Sequence, residues 1–288
     1  MRFVRNLRFV CVNDSVPPQT PRSLKEACAT RGIEYVEIDA RSFDYAPEKQ
    51  LSRGDMMYRP AISLVAMRVE QFLWNQGVAT FYAQPDGVFF GAITPPLRFE
   101  RAGLPIPKTV YCSTTNRAMI QKYVERVGGL PLIVKILGHS RGVGVIRVDS
   151  LPALYSLLDY ELSQGANPLL AQYIDDATHW RLLVLGDRVI ASYRNAPIPN
   201  DFRPHVAEGK TQFDVAPSEA MQDVAVRAVN SMHLEFGGVD FLEQVDGKFF
   251  LLETNFPCYY YHAQEFGGID VAGLMLDFLA AKAKQSEK

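Results

Sequence analysis

The chain has 288 residues, 48% of them apolar and 22% charged, with a formal net charge of −2. That length suggests two or three lobes in place of one core, and the composition is that of an ordinary globular protein, not a disordered or fibrous one. A near-neutral balance provides no field to recruit nucleic acid or an acidic membrane surface, and nothing approaches the ~18 consecutive apolar residues of a membrane span.

The four cysteines, Cys11, Cys28, Cys112 and Cys258, are dispersed without CxxC spacing. This predicts a reducing, cytoplasmic setting without structural disulfides or zinc. The start, MRFVRNLRFVCVND, is broken by Arg5 and Arg8 and reads as a first strand, not a signal peptide. Leu7–Val12, Ile33–Ile38, Asp55–Tyr58 and Val78–Tyr82 read as strands. Helices are predicted over Pro21–Arg31 and from the Ser63 cap to Trp74. This βαβ alternation predicts a small parallel sheet, a domain over residues 1–87. Ligands of such sheets sit at the carboxyl ends of strands, where Arg59 lies. Arg59 is therefore a candidate contact for a carboxylate or phosphate, or else a solvated loop arginine.

Residues 84–105 are punctuated by proline and glycine and predict an inter-domain connection. A second lobe, 88–166, follows. Lys108–Cys112 is its first strand, and Ser113 or Thr114 caps a helix ending at Gly128-Gly129. The segments PLIVKIL, GHSRG and VGVIRV come next, and Ser150 caps a further helix. Lys135 inside an apolar strand either snorkels to an edge or meets an anion. Gly138, Gly142 and Gly144 either make an ordinary flexible turn or bring backbone N–H groups close to phosphate.

The third lobe, 167–288, begins with the strand PLLAQYI. His179–Leu185 and Arg188–Tyr193 then form a hairpin around Gly186-Asp187, in which Arg181 faces Ser192 and His179 faces Arg194. A long polar loop over 195–217 carries Arg203, His205 and Lys210. Ser218 caps a helix running to Glu235, and a helix over Ile269–Lys282 closes the chain.

Between those helices lies Phe236–Pro257, FGGVDFLEQVDGKFFLLETNFP. Asp246-Gly247 between two β-forming runs predicts a two-residue hairpin loop. In that register Val245 faces Lys248, Leu242 faces Leu251 and Asp240 faces Glu253. Glu253 and Asn255 then share a face with Asp240. Facing carboxylates repel. Either they splay into solvent, or a divalent cation lies between them; Mg²⁺ favours one or two carboxylates plus phosphate oxygens.

These segments resemble the ATP-grasp superfamily and, within it, the RimK-like carboxylate–amine ligases, over about Leu104–Leu279. The resemblance implies an α/β chain of α+β lobes. Nucleotide is held between two of them, behind the small parallel-sheet domain. It implies that Lys135, with Gly138, Ser140 and Gly142 of the glycine loop, contacts phosphates. Gln172 and Tyr173 lie at the adenine. Arg181 and Arg203 act catalytically by stabilising phosphate charge. Asp240, Glu253 and Asn255 hold Mg²⁺, two ions in the full site, with Mn²⁺ as an alternative. His179 stands where the family has an acidic ribose contact, and His205 where a loop asparagine is usual. The family's first nucleotide lysine has no clear equivalent, with only Arg98 nearby. Arg59, Arg194, His205 and the tyrosines Tyr259, Tyr260 and Tyr261 are candidate substrate contacts. The tyrosines either line an acceptor pocket or pack beneath the loop, and His262 is a general base or a structural histidine.

The implied activity is ATP-dependent. A carboxylate becomes an acylphosphate and is joined to an amine of a small molecule, peptide or protein, releasing ADP and phosphate. The alternatives are an ATP-grasp kinase and a degenerate nucleotide-binding module. No nucleic-acid or membrane partner is implied, and a homo-oligomer is common in the family.

Overall fold

A computed structural model describes residues 7–46, 48, 50–90, 95–136, 142–196, 202–203 and 211–286. The N-terminal lobe is a parallel sheet of β1 (Arg8–Asn13), β2 (Glu34–Asp39) and β3 (Met56–Tyr58), ordered β2-β1-β3. It carries α1 (Gln19–Thr30) and α2 (Leu64–Leu73). Ser63 caps α2 as predicted, its Oγ accepting from Ala66 N at 3.1 Å. The strand predicted over 78–82 is reduced to single bridges, Ala79 to Met56 and Tyr82 to Leu234.

The connection holds a short helix that the sequence reading missed, α3 (Pro95–Arg101). The central sheet is formed by β4 (Thr109–Tyr111), β5 (Leu132–Lys135), β6 (Val145–Val148) and β7 (Leu169–Gln172), in the order β4-β7-β5-β6. Thus β7, read as the opening of the third lobe, is a strand of the second. Helices α4 (Arg117–Arg126) and α5 (Leu151–Ser163) pack on one face through Ile120, Val124, Leu154 and Leu158 against Leu132, Val134, Val148 and Leu170. The cap of α4 is Asn116, whose Oδ1 accepts from Met119 N at 3.0 Å, not Ser113 or Thr114. Alternation along β5 puts Ile133 and Lys135 on the face that these helices leave open.

The C-terminal lobe is an antiparallel sheet ordered β10-β9-β8-β11-β12. Its strands are β8 (Ala177–Leu185), β9 (Arg188–Asn195), β10 (Thr211–Gln212), β11 (Phe236–Gln244) and β12 (Phe249–Asn255). Helix α6 (Glu219–Ser231) covers one face, burying Met221, Val224, Ala228 and Val229 against Trp180, Leu182, Val184, Val239, Phe241 and Leu251. The other face is apolar at one end, where Leu183, Leu185 and Phe236 share a core with the N-terminal sheet, α1 and α8 (Val271–Ser286). A short helix, α7 (Tyr261–Glu265), precedes α8. No described helix is long and apolar enough to cross a membrane.

Candidate active site

The polar end of that second face is where the acids meet. Asp240 on β11 pairs with Glu253 on β12, as the sequence predicted. The route to that register differs. Glu243 pairs with Phe249 and Gln244 N bonds Lys248 O, so the loop is one residue longer than the predicted Asp246-Gly247 turn. Leu242 consequently faces Phe250, not Leu251. A bulge between Asp240 and Phe241, with Leu252 as the extra residue of β12, restores the pairing at the acids.

Asp240 is 5% exposed. Its Oδ1 lies 2.9 Å from Arg181 Nε and 3.2 Å from His179 Nε2, and its Oδ2 accepts from Asn255 Nδ2 at 3.0 Å. The same Asn255 amide donates to Glu253 Oε1 at 3.0 Å, bridging the two acids. Burial acts to raise the Asp240 pKa, but Arg181 and the His179 hydrogen bond outweigh it and hold the carboxyl below its ordinary range. Glu253 behaves oppositely. Crowding by surrounding protein and then the Asp240 charge push it up, while Asn255 and Lys135 act against them. Lys135, on the open face of the central sheet, therefore lies close enough to Glu253 to be felt by it.

Arg181 reaches this site because residue 238 is glycine. A Cβ there would stand 2.6 Å from Arg181 Nη1 and 3.1 Å from Cys258 Cβ. The guanidinium Nε and Nη1 are buried without a hydrogen-bond partner of good geometry, despite the close Asp240 charge. A buried cation beside paired acids suits a site completed by an anion and a cation together. The donor types suit a hard divalent ion, two carboxylates and a side-chain amide, with the amide turning its nitrogen to both acids in this structure. Among the described residues no group of three or more His, Cys, Asp or Glu side chains able to hold a metal occurs.

The β8–β9 hairpin departs from expectation. Its two-residue turn is as predicted, Leu185 facing Arg188, but a bulge between Leu183 and Val184 shifts everything beyond it. Arg181 faces Tyr193 and His179 faces Asn195. A shift of one residue exchanges the two faces of a strand. Arg194 consequently stands opposite Trp180 on the α6 face, its Cζ 5.8 Å from the Trp180 ring and its Nε 2.5 Å from Gln212 Oε1. It does not join the site. Asn195, which sequence reasoning passed over, does: its Nδ2 is 3.0 Å from His179 Nδ1. Tyr193, also unforeseen, lies beside Arg181, and burial raises its hydroxyl to about 12.

Other expected contacts lie elsewhere. Arg59 is 4% exposed and internally paired. Its Nε donates to Glu70 Oε2 at 2.7 Å, Tyr82 OH donates to the same oxygen at 3.1 Å, and Nη1 bonds the Ala61 carbonyl. That is a bond between β3 and α2, not a group presented to a ligand. Tyr260 is 1% exposed, within hydrogen-bond distance of Ser23, so the three tyrosines do not form one lining. Tyr261 bonds Glu265 at 2.8 Å, and Tyr259 is exposed. His262 packs among Tyr193, Phe213 and Phe266, and burial lowers its pKa. Arg98 is tied to the Ser231 carbonyl at 2.9 Å. Gln172 ends β7, and the ring of Tyr173 lies 4.5 Å beneath the Arg147 guanidinium and edge-on to Phe202. Gly142 adopts φ 75° before β6, and Arg203 lies 5.9 Å from the Phe202 ring. Gly138, Ser140 and His205 lie outside the described residues.

Two α+β lobes, a lysine strand on one sheet and paired acids on the other, make this an ATP-grasp fold. A model of the RimK-like ATP-grasp domain matches residues 99–279, and the chain belongs to that family. A "Probable alpha-L-glutamate ligase" of Rhodopirellula baltica is 32% identical over 185 residues, 64% of this chain and 45% of that one. A protein of the same name from Shewanella loihica is 30% identical over 187 residues, 64% of this chain and 61% of the other. The matches thus span less than two thirds of either relative's length. The solved ATP-grasp ligase PsnB, in complex with minimal precursor, Mg and ADP, superposes with a TM-score of 0.71. It is 20% identical, with 96% of this chain and 97% of that one covered.

Proposed function

We propose that the chain uses ATP to activate a carboxylate as an acylphosphate and joins it to an amine, releasing ADP and phosphate. The single observation that carries this reading is the grouping of Asp240, Glu253 and Asn255 with the buried guanidinium of Arg181. Asp240, Glu253 and the Asn255 carbonyl would hold Mg²⁺, which when bound neutralises phosphoryl charge and orients the phosphates. Two ions fit the family pattern. Lys135 and Arg181 present positive charge where negative charge develops, and the buried Arg181 is held there by Asp240 and so needs little reorganisation. Cys258, behind Arg181, is raised to about 12 by burial and is no nucleophile. The chemistry requires none.

The names of the relatives favour an amino acid as one substrate, glutamate first, and PsnB, solved in complex with its minimal precursor, makes a peptide acceptor the second choice. The test is ADP release with Mg²⁺ across amino acids and peptides, followed by product mass. A ligase product is heavier by the amine less water, whereas a kinase product gains phosphate. No ADP from any acid–amine pair, or the same release from Glu253→Gln, contradicts the proposal.

A further inference from the structure

His179 is unusual among the groups around Asp240, because its ring is held from behind. Thr211 Oγ1 donates to Asn195 Oδ1 at 2.8 Å. Asn195 Nδ2 lies 3.0 Å from His179 Nδ1. His179 Nε2 lies 3.2 Å from Asp240 Oδ1, and since an ionised carboxylate only accepts, Nε2 donates to it. His179 is 9% and Asn195 1% exposed, so water does not compete for these partners. Oδ1 is thus approached from both sides, by Arg181 and His179, while Oδ2 faces Asn255 and the Glu253 carboxyl also reaches Asp240.

We infer that the relay Thr211–Asn195–His179 is a positioning device. It seats the His179 ring and pins Oδ1 of Asp240, holding that carboxylate in the orientation in which it meets Glu253 and the divalent ion. The inference rests on the metal reading of Asp240 and Glu253 given above. His179 touches neither substrate nor ion in this account; it acts through Asp240. Groups that orient a metal's direct ligands change affinity by ~10- to 100-fold when removed. The relay spans three strands, β8, β9 and β10.

Two measurements test it. Long-range ¹H–¹⁵N correlation of the imidazoles, with His179 assigned through His179→Gln, should show a proton on Nε2 in the wild type. Electron paramagnetic resonance titration of Mn²⁺ in the presence of ADP should show His179→Leu weakened ~10- to 100-fold. His179→Gln, whose amide N–H can replace Nε2–H, should recover most of that loss. Asn195→Leu should fall between them and disturb the His179 signal. An Nδ1–H tautomer in the wild type, or His179→Gln binding as weakly as His179→Leu, overturns the relay. So does wild-type Mn²⁺ affinity in His179→Leu while Glu253→Gln binds weakly. Wild-type affinity in Glu253→Gln as well removes the metal reading, and the relay with it.

Discussion

The two hairpins that meet at Asp240 make an instructive pair. In β8–β9 the turn obeys its sequence, yet Ile190 is an extra residue and the register beyond it moves by one. In β11–β12 the loop is one residue longer than its Asp-Gly signal suggests, yet Leu252 is an extra residue and the register returns. One bulge cancels an error and the other creates one. In both, the pairing at the site is set by the bulge and not by the turn. Bulges are common beside active sites, where they re-aim side chains. Here one of them turns Asn195 inward and Arg194 outward.

The sharpest way to break the comparison is to remove each acid in turn. Asp240 is buried against Arg181, so Asp240→Asn leaves that guanidinium uncompensated. We expect loss of turnover together with a stability loss of ~3–5 kcal/mol, read by denaturant titration. Glu253 is solvent-exposed and repels Asp240, so Glu253→Gln should lose turnover by about 100-fold with an unchanged or slightly raised melting temperature. Equal destabilisation by the two would show that the β11 and β12 acids are not so differently placed.

Acid sharpens the same contrast. The Glu253 carboxyl is pushed up, and an ion requires it ionised, so Mn²⁺ affinity should fall by up to ~10-fold per pH unit as pH drops through that raised value. The sign for the ion-free fold is opposite. A raised carboxyl contributes stability at low pH, and that contribution is lost as pH rises through its folded value. In Glu253→Gln both dependences should flatten. The smallest effect is expected from Arg194→Ala. On the α6 face it should leave Mn²⁺ affinity and turnover within about twofold, as surface changes usually do. A loss of tenfold or more would put Arg194 back in the site and undo the bulge argument.

Much of the fold is legible because local signals are strong. Ser63, Ser150 and Ser218 each cap the helix they were expected to cap. The lysine strand and the acid pair are legible because charged residues there interrupt apolar alternation. The register of β9 is not, since RVIASYRN has no clean period of two and fits either face equally well. Arg59 misled for a different reason. The strand-end position that marks ligand sites also suits an internal pair, and only Glu70, eleven residues on, decides between them. Tyr260 misled because sequence alone cannot say that α1 would cover it.

The central claim is that the facing acids of β11 and β12 hold a divalent ion that accompanies nucleotide. Anomalous diffraction from crystals grown with Mn²⁺ and ADP measures this directly. The account predicts a manganese peak within bonding distance of Asp240, Glu253 and the Asn255 amide oxygen, with ADP phosphate oxygens completing its shell. ADP bound with no manganese at those side chains, or manganese bound elsewhere, contradicts it.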